Sequence, residues 1–219
     1  MDVSALYANG WAVGCLSSSS TGDVCRELIA LASSIGKPVA DRRGVAIIDT
    51  LRPVTAERAR PNSLSARFSV GEFPCHTDMA NVPTPCRFIV LACLSPGDGR
   101  RPTTLLDPAP LSLTYEDRDL IHTTPFRVVN GRHSFFSTIM RRGRPFVRFD
   151  PGCMQPVTSD GERASKVLGS GDWRLASVQW ERGRVLVIDN WRILHGRGLA
   201  MRDDRDRVLL RIYINERAI

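Results

Sequence analysis

Four histidines and 23 acidic residues stand in a chain of 219. Two of the histidines sit where metal chemistry can be built. His76 opens a His-x-Asp pair in Phe73-Pro-Cys-His-Thr-Asp78. On an extended chain, period-two alternation puts His76 and Asp78 on one face, about 6–7 Å apart along the backbone. An imidazole and a carboxylate so placed can ligate one ion. Chance supplies a His-x-acid pair often in such a composition, so the pair alone is a weak sign. His195 adds weight. It follows a buried apolar strand and an Asp-Asn turn in Val185-Leu-Val-Ile-Asp-Asn-Trp-Arg-Ile-Leu-His-Gly-Arg197, at the start of the next strand.

Two imidazoles and one carboxylate leave three coordination positions open, the arrangement of non-haem Fe(II) oxygenases. On the chemistry alone, a His195 that merely packs and hydrogen-bonds in a core is an equal reading. His122 and His133 match no metal motif. Cys75 points opposite to His76 on an extended chain and is not taken as a ligand.

The elements that must position these residues are mostly short strands. Thr21, as N-cap, starts a helix whose apolar face is Val24, Leu28, Ile29 and Leu31 or Ala32, and Gly36-Lys37-Pro38 stops it. Strands are expected at Val45–Asp49, Ser65–Val70, Arg87–Leu94, Thr103–Leu106, Phe126–Val129, Phe135–Met140, Pro145–Phe149, Ser177–Trp180, Val185–Ile188 and Val208–Ile214. Helices interrupt them near Thr114–His122 and Gly161–Leu168. Closely spaced short strands suggest a sandwich or barrel rather than β-α-β units. The expected architecture is mainly β with flanking helices, a helix-buttressed jelly roll. It forms one domain over 1–219, with a helical and strand N-terminal part to about 62 and the jelly-roll core from about 63.

Composition narrows the function. The longest apolar runs, such as Phe88 to Leu94, fall far short of the ~20 residues of a membrane span. Met1 to Cys15 lacks a basic region followed by an apolar block, so no signal peptide is expected. The six cysteines sit in hydrophobic runs without C-x-x-C spacing, which argues against a zinc knuckle and for reduced thiols in the cytoplasm. Only Lys37 and Lys166 are lysines among 30 basic residues, a skew that reads as coding bias, and the net charge is +7. Such a charge favours an anionic partner. Yet the basic tail Arg202 to Arg211 is interleaved with Asp203, Asp204 and Asp206. Arg141, Arg142 and Arg144 are the one tight cluster, explained by a solvated hairpin tip. No nucleic-acid motif is present, so a polynucleotide is not the expected partner. The absence of G-x-G-x-x-G, a Walker loop and G-x-S-x-G removes the usual anchors of nucleotide and serine-hydrolase chemistry.

Several stretches in order resemble the taurine dioxygenase and clavaminate synthase-like family of Fe(II)/2-oxoglutarate oxygenases. They include Gly36-Lys-Pro, Leu51-Arg-Pro, His76-Thr-Asp-Met-Ala, Pro102-Thr-Thr-Leu-Leu-Asp, Val147-Arg-Phe-Asp and Asp189-Asn-Trp-Arg-Ile-Leu-His-Gly-Arg. The similarity runs from about Ile29 to Ile214. It implies a double-stranded β-helix with iron held by His76, Asp78 and His195, using 2-oxoglutarate and O2. The family also places an arginine beyond the distal histidine to grip the far carboxylate of 2-oxoglutarate. Arg207 has that position, and a guanidinium fork suits a carboxylate in a way lysine does not.

Strand alternation puts Arg207, Leu209, Arg211 and Tyr213 on one face. Arg211, about 13 Å further along, stands where relatives bind an anionic substrate group; a surface ion pair is its other reading. Thr104 matches the threonine that helps hold 2-oxoglutarate, and Thr103 stays open because a one-residue slip reverses the face. Asp150 is the candidate for a cationic part of the substrate, with a pairing to Arg148 the alternative. The retained Asp78 carboxylate leaves no vacancy for chloride, so hydroxylation is expected rather than halogenation. The expected substrate is small and carboxylate-bearing, an amino acid or a natural-product intermediate. Little room for a long lid implies a pocket that is open or completed by a partner subunit. The rivals are a cupin-like isomerase or hydrolase without 2-oxoglutarate, and an oxygenase acting on a carrier-bound or nucleic acid substrate.

Overall fold

The computed structural model describes the chain except for residues 1, 2, 19, 41–43, 45, 62, 110, 170–172, 174, 202–204, 218 and 219. Helix α1 (Val3–Asn9) leads into β1 (Trp11–Cys15), α2 (Thr21–Ile35), β2 (Lys37–Val39) and β3 (Asp49–Leu51). A 3-10 turn at Ala56–Arg58 and α3 (Leu64–Phe68) precede β4 (Phe73–His76), β5 (Phe88–Ser95) and β6 (Thr103–Leu106). Then come α4 (Tyr115–Thr123), β7 (Phe126–Asn130), β8 (His133–Ser137), β9 (Met154–Pro156) and α5 (Ser159–Gly169). The chain finishes with β10 (Ala176–Val178), β11 (Arg184–Asp189), β12 (Leu194–Arg197) and β13 (Val208–Asn215). No helix among the described residues is long and apolar enough to cross a membrane.

The strands make a major sheet of order β1-β11-β5-β13-β2, with β3 also on β13, and a minor sheet of order β10-β6-β12-β4. A third sheet has order β8-β7-β9. Between the major and minor sheets lies a core of Ile89, Leu91, Cys93, Leu186, Ile188, Leu209 and Tyr213 against Leu105, Val178 and Trp180. The far face of the major sheet, with Val90, Ala92, Val187, Leu210 and Ile212, is covered by Leu6 of α1 and by Val24, Leu28 and Ala32 of α2. The far face of the minor sheet carries Cys75, Leu106 and Leu194 under Leu120, Ile121, Ala164 and Leu168 of α4 and α5. β5 and β11 are covered on both faces, which is why they read as unbroken apolar runs.

Local chemistry explains where the expected elements differ. Ser65–Val70 is not a strand but α3: the Ser63 hydroxyl caps the Ala66 N–H at 3.2 Å, and Ser69 closes the helix with φ 51°. Val45–Asp49 is not a strand either. β3 begins only at Asp49, 46–48 lie outside it, and Val45 is outside the described residues. Pro145–Phe149 forms no strand; Val147 makes a single bridge to Met140, while its N–H goes to the Trp191 carbonyl at 2.8 Å. α2 is capped by Ser20 rather than Thr21, through the Asp23 N–H. The N-terminal segments α1, β1 and β2 carried no strong pattern, yet β1 and β2 form the two ends of the major sheet.

Candidate metal centre

The site forms where β4 meets β12. His195 pairs with His76 across these strands, and with Leu105 on its other side. Gly196 follows because a Cβ there would stand 2.8 Å from both the Phe73 carbonyl and the Thr104 hydroxyl. β4 ends at His76, so a turn, not continued alternation, delivers Asp78. The Thr77 hydroxyl donates to the Val147 carbonyl at 3.0 Å and accepts from the Phe149 N–H at 3.2 Å. Asn190, fully buried, brackets Asp78: its Oδ1 accepts from the Asp78 N–H at 2.9 Å and its Nδ2 donates to the Asp78 carbonyl at 3.0 Å. Met79 then turns away with left-handed backbone at φ 57°, a conformation that side chains resist.

The three expected donors converge. His76 Nε2 lies 3.5 Å from Asp78 Oδ1, and His195 Nε2 lies 3.6 Å from Asp78 Oδ2. All three donor atoms fall within 4.8 Å of one another, and all three residues are buried. They fit a divalent metal. His76 Nδ1 lies 3.2 Å from the Pro74 carbonyl; a proton held there leaves the Nε2 lone pair for an ion, as metal-bound histidines usually arrange it.

Burial alone would raise the Asp78 carboxyl; the Arg211 guanidinium, with hydrogen bonds to both histidines, instead holds it well below the usual carboxylate range. Burial pushes His195 toward its neutral form, opposed by the hydrogen bond to Asp78. For His76 burial acts the same way, but the Asp78 hydrogen bond and charge outweigh it and raise the imidazole.

The remaining expected residues divide by face. Thr103 shares the inner face with His195 and Leu105, and its hydroxyl accepts from Trp180 Nε1 at 3.1 Å. Thr104 faces the other way, its hydroxyl 3.6 Å from the Cys75 thiol, within the core under α4 and α5. Of the two threonines, Thr103 has the inward position.

Arg207 is buried just before β13. Burial pushes the Cys93 thiol up to about 11 while the Arg207 charge beside it pulls the other way. Arg211 does not reach out as a vacant anion hook. Its guanidinium donates to Asp78 Oδ2 at 2.9 Å and to Asp49 Oδ2 at 2.8 Å.

Asp150 is buried and accepts from the Gly152 N–H at 2.7 Å, and its charge helps to raise His76. It makes no pair with Arg148, whose donors go to the carbonyls of Ala80, Val82 and Pro83. His122 Nδ1 is occupied with the Met140 carbonyl at 2.7 Å, and His133 is exposed.

Sequence reasoning missed Asn190 and Asp49. Asn190 stood inside the quoted Asp-Asn turn, but its partner is 112 positions away. Asp49 was placed on a strand without a role, and only the β3–β13 pairing sets it opposite Arg211.

The chain is similar to known proteins. Enduracididine beta-hydroxylase of Streptomyces hygroscopicus is 28% identical over 177 residues, 64% of this chain and 52% of that protein. The chain thus spans about half the length of that relative. Asparagine oxygenase in complex with Fe(II), 2S,3S-3-hydroxyasparagine and succinate superposes with TM-score 0.73 at 20% identity, over 94% of this chain and 74% of that one. The non-heme iron oxygenase OrfP in complex with Fe, succinate and (3S)-hydroxy-L-Arg gives TM-score 0.67 at 20% identity, over 95% of this chain and 76% of that one. These likenesses establish the fold as the double-stranded β-helix with flanking helices. The sequence model of the family described as taurine catabolism dioxygenase TauD, TfdA family matches residues 174–213, the stretch that carries His195, Arg207 and Arg211. Over that segment the chain is similar to the TauD/TfdA family, and the buried His-Asp-His set and the fold accompany the similarity.

Proposed function

We propose that the chain is an Fe(II)- and 2-oxoglutarate-dependent hydroxylase of an amino acid or a small amino-acid derivative. The observation that carries this is the convergence of His76, Asp78 and His195 at one buried point. Bound there with 2-oxoglutarate and O2, the iron supplies the oxidising power to hydroxylate a C–H bond, with release of succinate and CO2. The protein's own residues do the positioning. His76 and His195 present Nε2, Asp78 presents its carboxylate from a turn braced by Asn190, and Arg211 stabilises that carboxylate in its ionised form. Arg207 is the partner for the far carboxylate of 2-oxoglutarate, and Thr103 rather than Thr104 is the hydroxyl that can join it.

The names and bound molecules of the relatives, enduracididine, asparagine, 3-hydroxyasparagine and (3S)-hydroxy-L-Arg, support an amino acid. Asp150 is the group for its cationic part. Arg211 serves a substrate anion only if it leaves Asp49 or Asp78. All six cysteines are free thiols, which suits a reducing compartment such as the cytoplasm.

The test is anaerobic Fe(II) titration followed by a succinate-release screen over free amino acids, carrier-protein thioesters and short oligonucleotides. Stoichiometric iron with succinate release on free amino acids supports the reading. Failure to bind iron removes it, and turnover only on carrier-bound or nucleic acid substrates removes the substrate class.

A further inference from the structure

The arginine cluster singled out in the sequence borders a cavity that the metal centre does not use. Arg141 to Arg144 form an exposed turn between Met140 and Val147, closed by the Arg144 N–H on the Arg141 carbonyl. Beside it is a cavity of about 190 Å3. It is bounded by Phe135 and Phe136 of the edge strand β8, by Phe146, and by Arg141, Arg144 and Arg148. Neither the triad nor Arg207, Arg211 or Thr103 lines it.

Arg148 is only 2% exposed. Its guanidinium stacks between Phe135 and Phe146, 5.0 and 5.2 Å from their centroids. Three donations to the carbonyls of Ala80, Val82 and Pro83 use its two terminal nitrogens, and its buried Nε has no hydrogen-bond partner. Carbonyl dipoles do not neutralise a cation, and buried charges are ordinarily paired with an opposite charge. Among the described residues no carboxylate pairs with Arg148, Arg141 or Arg144. Burial accordingly draws Arg148 down to about 10, and Arg144 adds to the effect. The buried Thr138 hydroxyl, on the same cavity wall, is likewise without a partner.

Three guanidiniums without counter-charge and three phenyl rings thus enclose a space of small-molecule size. We infer that this cavity binds a small oxyanion carried on a flat apolar group, such as an aryl phosphate or aryl carboxylate. The guanidiniums supply charge-assisted hydrogen bonds to the oxyanion, and the rings stack on the apolar body. Neither half suffices. A bare anion leaves the rings wet, and a neutral arene leaves Arg148 uncompensated. Because Arg148 also holds the carbonyls of Ala80 and Val82, occupancy steadies the turn just after Asp78. The site stands on its own residues and does not depend on the reaction proposed above.

The experiment is calorimetric titration of the full chain with phenyl phosphate, inorganic phosphate and benzyl alcohol. Phenyl phosphate should bind saturably at one site, with inorganic phosphate and benzyl alcohol each weaker by about tenfold or more. The double variant Arg141→Ala/Arg144→Ala changes only the exposed rim, so it should fold normally and lose phenyl phosphate affinity by about tenfold or more. Arg207→Ala should leave that affinity unchanged. No saturable binding by the unaltered chain overturns the proposal, as does undiminished binding in the rim variant. Loss of binding in Arg207→Ala would move the ligand to the metal cavity and also overturn it.

Discussion

Asn190 and Asp78 are locked together through the backbone of the metal-binding turn. The amide oxygen of Asn190 takes the Asp78 N–H, and its NH2 serves both the Asp78 and Cys86 carbonyls, the latter at 2.9 Å. The carboxylate is therefore aimed by a side chain that touches no metal. Asn190→Ala removes three hydrogen bonds to buried backbone groups, at a cost of about 1–3 kcal/mol for each group that finds no replacement. Chemical unfolding should show a loss of about 3 kcal/mol, and Fe(II) titration should show weaker binding even in the folded fraction. Unchanged metal affinity would mean that the turn holds its shape without Asn190.

His195→Ala removes one of three donors without adding bulk. Iron-dependent consumption of 2-oxoglutarate should be abolished, and metal titration should show lost or much weakened binding. Full activity in this variant would dismiss His195 as a ligand.

Arg207→Lys preserves charge but loses the planar fork. Calorimetry should find 2-oxoglutarate bound clearly more weakly, by about tenfold, and weaker still in Arg207→Ala. If the alanine variant keeps its affinity, Arg197 and Arg211 are the next arginines to test.

Thr103→Val and Thr104→Val are a matched pair that differ in the face they alter. The first should weaken 2-oxoglutarate binding and the second should not, because Thr104 lies against Cys75. Trp180 loses its acceptor in the first variant, so melting temperature must be measured beside affinity. A loss confined to Thr104→Val would reverse the assignment.

Arg211→Ala leaves buried Asp78 and half-buried Asp49 exposed to each other's charge without their shared cation. Removing one member of such a buried set costs about 3–5 kcal/mol, so the metal-free protein should melt at lower temperature. A divalent ion at Asp78 restores part of the missing positive charge. The rise in melting temperature on adding Fe(II) anaerobically should therefore be larger in the variant than in the unaltered chain. An equal rise would show that Arg211 and the metal do not act on the same carboxylate.

The sequence by itself determined the donor types, their order and most of the scaffold. His76-Thr-Asp78 and the distal His195-Gly-Arg197 name a metal chemistry through residue type alone. The apolar runs of β5 and β11 declare themselves because burial on both faces leaves few polar positions to blur the pattern.

Orientation and pairing were decided only by tertiary structure. Which of Thr103 and Thr104 faces inward depends on the register of β6 against β12, and a shift of one residue inverts every side chain. α3 displaced an expected strand because one serine hydroxyl found a helix N-terminus, a local bond that apolar periodicity does not see. Arg211 reads as a hook for a ligand until β3 and the Asp78 turn bring two carboxylates to it from positions 162 and 133 residues away. The same holds for Asn190, whose role lies in backbone groups of a distant turn. Residue type is written along the chain, but a face, a counter-charge or a hydrogen-bond partner exists only once strands distant in sequence lie side by side.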